Sequence, residues 1–61
     1  MKYIITNNRG QRLALVDTRD EARATGRHHA KQGTPVMIYL ANDDGVMLSY
    51  SSNDTAAANK R

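Results

Sequence analysis

The tetrapeptide Asn7-Asn8-Arg9-Gly10 has a near twin in Asn42-Asp43-Asp44-Gly45, and each lies between two short segments rich in β-forming residues. Asn-x-x-Gly in that setting reads as a type I turn closed by a glycine in the left-handed region, a hairpin with a one-residue bulge. Residues 2–6 and 11–16 are then the strands of the first hairpin, and 36–41 and 46–51 those of the second. One helical stretch, 19–32, separates them, so the chain reads β-β-α-β-β. The expected fold is α+β: a four-stranded antiparallel sheet of two hairpins with one helix packed on one face, a single domain over residues 1–51. Residues 52–61 are polar and lack a hydrophobic period, which reads as a flexible C-terminal tail, with a short helix from Asp54 as the lesser alternative. Apart from the paired turns the chain reads as free of internal repeats and linkers.

The turns also set the registers. With the bulge at Gly10, Ile5 faces Leu13 and Tyr3 faces Leu15, leaving Ile4, Thr6, Arg12 and Ala14 on the other face. With the bulge at Gly45, Leu40 pairs with Leu48 and Ile38 with Tyr50, leaving Met37, Tyr39, Met47 and Ser49 opposite. A two-residue turn at Asp44-Gly45 would shift this register by one and set Tyr39 beside Tyr50. The bulged version is preferred because it gathers the leucine and β-branched residues on one face.

Thr18-Arg19-Asp20-Glu21 is a capping box, with two acids in the first helical turn and Lys31 in the last, as the helix dipole favours. Gly33 is the expected C-cap and Pro35 blocks further helix. Ala22, Thr25, Gly26 and His29, spaced by three and four, form the inward stripe. These small residues let the helix sit close to the sheet, which must supply most of the core.

Sixty-one residues without a cysteine leave little margin. A chain of this size buries only ~60% of the surface its unfolded form exposes, and no disulfide can compensate. Metal is not expected either, because His28 and His29 point about 100° apart on a helix and cannot easily share one ion. No apolar run approaches the ~20 residues that span a bilayer, and the N-terminal apolar stretch is too short for a signal-peptide core. The expectation is a cytoplasmic protein that is not bound to a membrane. A net charge of +3 and a pI of 9.7 favour polyanions or an acidic protein surface as partners.

Two surfaces stand out as candidate partner sites. Arg19, Arg23, Arg27 and Lys31 recur every four residues along the outer helix face. Like charges at that spacing cost a few tenths of a kcal/mol per pair, and arginine offers bidentate donors suited to phosphate or carboxylate. The bland alternative is a solvated face. The second surface is the sheet face that one helix leaves uncovered, with Ile4, Ala14, Val16, Met37, Tyr39 and Met47. Such a patch marks an interface with a foreign protein or with a second copy in a homodimer, unless the tail partly covers it. Tyr39 is too isolated to form a base-stacking platform. Catalysis is not expected, since no nucleophile or carboxylate pair stands at a recognisable spacing to His28 or His29. Asn42-Asp43-Asp44 lacks the distal glutamate of a calcium loop and is read as a turn. No cofactor is implied.

Tyr3-Ile4-Ile5, Asp20-Glu21-Ala22-Arg23, Val36-Met37-Ile38 and Gly45-Val46-Met47-Leu48-Ser49-Tyr50 give residues 3–50 a layout that resembles small phage-encoded inhibitors of host machinery. The nearest are anti-CRISPR proteins of type I systems with a β-β-α-β-β core. Some phage RNA polymerase inhibitors share the plan. The resemblance implies a non-enzymatic phage or mobile-element inhibitor that docks on a host protein or nucleoprotein complex, such as a CRISPR surveillance complex, and obstructs target DNA hybridisation. It would place the contacts on Arg23, Arg27 and Lys31. Fold likeness alone does not fix function. The alternative is a small nucleic-acid-binding module that contacts phosphates through the same helix.

Overall fold

In the computed structural model, which describes residues 1–60, both turns close as the sequence predicts. Gly10 and Gly45 adopt φ of 82° and 80°, and their amides donate to the carbonyls of Asn7 and Asn42. The asparagines are there for their side chains. Asn7 Oδ1 accepts from the amides of Arg9 and Gln11, and Asn42 Oδ1 accepts from those of Asp44 and Val46. One oxygen thus satisfies two turn amides in each hairpin.

The elements in chain order are β1 (Lys2–Asn7), β2 (Arg12–Val16), α1 (Arg19–Lys31), β3 (Val36–Ala41), β4 (Met47–Tyr50) and α2 (Ser52–Asn59). The strands form one antiparallel sheet in the order β2-β1-β3-β4. The small α+β class is as expected, with one addition: Ser52–Asn59, read as tail, is a second helix. Arg61, the last residue of that supposed tail, lies outside the described residues.

Each hairpin carries a second bulge that the sequence reading missed. Thr6 pairs with Arg12 but Ile5 with Ala14, so Leu13 is extra; Ala41 pairs with Met47 but Leu40 with Ser49, so Leu48 is extra. Beyond these points the expected registers are displaced by one. Tyr3 lies opposite Val16 rather than Leu15, and Tyr50 opposite Tyr39 rather than Ile38. The Tyr39–Tyr50 pair that a two-residue turn would have produced is therefore present although the turn is not of that kind.

The repetition is an internal repeat. Asn7, Gly10 and Leu13 recur as Asn42, Gly45 and Leu48, each 35 positions on. β1 pairs with β3 about Ile4 and Tyr39, themselves 35 apart, so an approximate twofold axis passes through that pair. The helices break this symmetry, since α1 lies against β1, β2 and β3 whereas α2 packs on β3 and α1.

The core sits between sheet and helices: Ile5, Val36 and Ile38 against Ala22 and Ala58, flanked by Tyr3, Leu13, Ala14 and Val16. Ala14 and Val16, expected on the uncovered face, belong to this side because of the bulge at Leu13. The opposite face holds no helix, yet Ile4, Thr6 and Ala41 are buried there. Bulges increase the right-handed twist of a ribbon. The second hairpin accordingly swings its turn across the first. Gly45 comes up to Leu15, whose Cδ2 is 3.6 Å from where a β-carbon would stand, and its carbonyl accepts from Arg12 Nη2 at 3.4 Å. The sheet thus covers much of its own back, and Ile4 is core rather than interface.

Helix α1 begins at its capping box, where the Glu21 amide donates to Thr18 Oγ1 and the Thr18 hydroxyl to Glu21 Oε1. It ends at Lys31 with Gln32 as its C-cap, one residue before the expected Gly33, which follows in the left-handed region with φ of 85°. Its buried stripe is Ala22, Gly26 and Ala30, with Thr25 and His29 half-buried.

Candidate functional site

Helix α2 decides how much of the basic strip is available. Its Asp54 carboxylate is 1% exposed and lies against α1. Asp54 Oδ1 takes Arg23 Nε and Nη2 at 3.2 and 3.1 Å and Arg19 Nε at 3.3 Å, while Oδ2 accepts from the Ser51 hydroxyl at 2.6 Å. A buried carboxylate is costly unless paired and hydrogen-bonded, and here two guanidiniums and a hydroxyl supply this. Two of the four predicted docking cations are therefore engaged in holding α2. Two guanidiniums against one carboxylate leave one net positive charge.

The rest of α2 completes the sheet. β4 ends at Tyr50, so the first half of β3 has no strand on its outer side. Thr55 Oγ1 accepts from the Ile38 amide at 2.7 Å and donates to the Ile38 carbonyl at 3.4 Å. Asn59 Oδ1 accepts from the Val36 amide at 3.0 Å, and its Nδ2 donates to the Val36 carbonyl at 2.9 Å. Side chains one helical turn apart thus replace the missing ladder and close an edge that would otherwise be open to pairing.

Arg27 and Lys31, the other half of the strip, are exposed and form no ion pair among the described residues. Their surroundings are more basic than the helix alone. The two helices run side by side in one direction, with Arg23 at Asp54 and Gly26 against Ala58. Both finish near Val36, which pairs with Asn7 of the first turn. Arg9, Arg27, Lys31 and Lys60 thus gather at one end of the molecule. The carboxylates lie elsewhere: Asp17 is bridged to Lys2 and Asp43 to the N-terminal amine, Asp20 and Glu21 open α1, and Asp44 lies in the second turn. Asp17, 2.9 Å from Lys2 Nζ, raises that ammonium above its ordinary value of 10.5 through a hydrogen bond and its charge. The protein thus has a basic pole, while the carboxylates elsewhere are accompanied by the N-terminal amine, Lys2, Arg12, Arg19 and Arg23.

A third surface is apolar. Val46, Met47, Leu48 and Tyr50 are each between 46% and 57% exposed, and they belong to or adjoin edge strand β4. Leu15, also exposed, reaches this surface beside Gly45. Met47 is thus exposed as expected. Met37 and Tyr39 are half-buried, Tyr39 packing edge-on against Tyr50 with ring centroids 5.4 Å apart and donating its hydroxyl to Met37 Sδ at 3.7 Å. His28 stacks edge-on with His29 at 5.6 Å and meets Gln32 at 3.3 Å. No group of three or more metal-ligating side chains occurs among the described residues, and no described helix is long and apolar enough to cross a membrane.

Sequence reasoning placed Arg27, Lys31 and Met47 on the surface. It missed Arg9 and Lys60 as members of the basic pole and Leu48 and Tyr50 as exposed apolar residues. The signal for Asp54 was present in Ser51-Ser52-Asn53-Asp54, a second capping-box spacing after the hairpin. No protein-family model, curated protein or solved structure matches the chain.

Proposed function

We propose that this protein is a non-enzymatic inhibitor or adaptor that binds an anionic surface of a host protein or nucleoprotein complex through its basic pole. The observation that carries the reading is the convergence of Arg9, Arg27, Lys31 and Lys60 at an end of the molecule that holds none of the described carboxylates. A small surface of one sign attracts oppositely charged partners and speeds their encounter. The resemblance to type I anti-CRISPR proteins names a CRISPR surveillance complex as the first partner to try, in the cytoplasm of a phage's host. Arg19 and Arg23, committed to Asp54, have a supporting role in this reading.

Direct binding to nucleic acid is the second reading, favoured by the same pole. Salt separates the two. Four cations neutralise at most about four phosphates, so log affinity for duplex DNA would fall by roughly 3.6 per tenfold rise in salt. Binding to a purified type I surveillance complex and to a DNA duplex is measured from low to physiological salt. The expected result is binding to the complex, lost in the Arg27→Glu/Lys31→Glu variant, with none to the duplex. Retained binding in that variant overturns the basic pole as the interface. Duplex binding with the steep slope transfers the function to nucleic acid.

A further inference from the structure

We infer that α2 is an autoinhibitory latch, in which Asp54 withholds Arg19 and Arg23 from an acidic segment of a partner protein that takes them over when α2 is displaced. The partner's chemistry rests on the basic pole proposed above as the docking site. The latch itself rests on how α2 is held.

That hold is polar almost throughout. Of the side chains that α2 buries, Asp54, Thr55 and Ala58, only the alanine is apolar. The helix has 8 residues, and isolated helices shorter than about 12–15 are marginal in water. Ser51 at its N-cap gives its hydroxyl to Asp54 instead of capping an amide. An element with so little apolar contact opens before the rest of a fold does. Of the core residues only Ala58 would leave with it, since Ile5, Ala22, Val36 and Ile38 belong to β1, α1 and β3.

What opening releases is specific. Arg23 Nη2 and Arg19 Nε lie 3.1 and 3.3 Å from the same oxygen of Asp54. Asp54 occupies the two guanidiniums as a partner's carboxylate would, and so indicates the chemistry of the ligand. Once released, Arg19 and Arg23 line up with Arg27 and Lys31, successive cations standing about 6 Å apart along one side of α1. Arg27 and Lys31, already exposed, attract the acidic segment first. The tether gives Asp54 an effective concentration that a single free carboxylate does not match. Displacement therefore takes a ligand that engages Arg27 and Lys31 at the same time, which makes the latch a filter for closely spaced acids.

The test compares the wild type with Thr55→Val/Asn59→Ala, which loosens α2 on β3 and leaves every charge in place. Affinity for an oligoglutamate peptide at low salt should rise about tenfold, because more of the molecules hold Arg19 and Arg23 open. Adding Arg19→Gln and Arg23→Gln should remove the gain, and Arg27→Glu/Lys31→Glu should abolish binding in either background. In the wild type the peptide should speed hydrogen exchange at Val36 and Ile38, measured by NMR, while the amides of β1 stay protected. This measurement decides alone where the loosened variant fails to fold. Peptide that binds both proteins equally and leaves exchange at Val36 and Ile38 unchanged overturns the latch, with the basic pole left standing. Peptide that binds neither overturns the latch and the basic pole together. A gain for a DNA duplex and none for the peptide overturns the acidic segment as the ligand.

Discussion

Replacing Gly26 by alanine should destabilise the protein, although alanine is the better helix former. In the interior of an isolated helix the change is worth about 1 kcal/mol in the favourable direction. Here a β-carbon on Gly26 would stand 2.5 Å from Ala58 Cβ and 3.1 Å from Val36 Cγ2. Carbon atoms pack at about 3.5–4.0 Å, so α2 must retreat by about an ångström. Its grip on the sheet has no such slack. The Thr55 and Asn59 bonds to Ile38 and Val36 span 2.7–3.0 Å, apart from one at 3.4 Å, and a shift of that size takes them out of range. Overpacking of this kind costs about 1–3 kcal/mol, and each buried backbone group left without a partner adds about as much. The net loss should be about 1–2 kcal/mol, a fall in Tm of roughly 5–15 °C for a domain of this size. Thermal melts followed by circular dichroism read it directly. Ala58→Gly in the same molecule removes the opposing β-carbon and should recover most of the loss, while Ala58→Gly alone costs about 1 kcal/mol. A Gly26→Ala protein that melts above the wild type, or strictly additive effects in the double variant, would refute the close approach of α1 and α2.

Two further outcomes test what α2 does. Thr55→Val keeps the shape but leaves the Ile38 amide without a partner, the Ile38 carbonyl keeping the Ser51 amide, which should cost about 1–3 kcal/mol and speed hydrogen exchange at Ile38, measured by NMR. Arg23→Glu sets a carboxylate against buried Asp54 and should lower the Tm by at least several degrees, whereas Arg27→Glu should leave stability within about 0.5 kcal/mol. Equal melting of the two arginine variants would remove Asp54 as the anchor of α2.

The parts of the fold legible in the sequence are those governed by a single residue's local chemistry. Asn7 and Asn42 bond their own turns, Gly10, Gly33 and Gly45 take positive φ, and Thr18 caps α1; each acts within a few residues of itself. The bulges at Leu13 and Leu48 were not legible, because neither needs a glycine or any other marker, and the extra residue is defined only by the strand opposite. Shifting register by one exchanged the faces of Ala14 and Val16, and so took these two off the face expected to be open. Helix α2 was only the lesser of two readings of residues 52–61, for a different reason. Its hold comes from Asp54, Thr55 and Asn59, polar residues whose partners lie on α1 and β3, so no apolar period announces it. The basic strip divides in two in the structure. Its spacing was correct, but only the packing of α2 reveals that Arg19 and Arg23 are engaged and that Arg9 and Lys60 join the others.

The use of a helix in place of half an edge strand has a consequence during synthesis. The amides and carbonyls of Val36 and Ile38 leave the ribosome well before Thr55 and Asn59 do. Until those later residues emerge, β3 presents an unprotected margin to every other nascent strand in its vicinity. Delay in translating α2, or its removal by proteolysis, should therefore show up first as misassembly between chains.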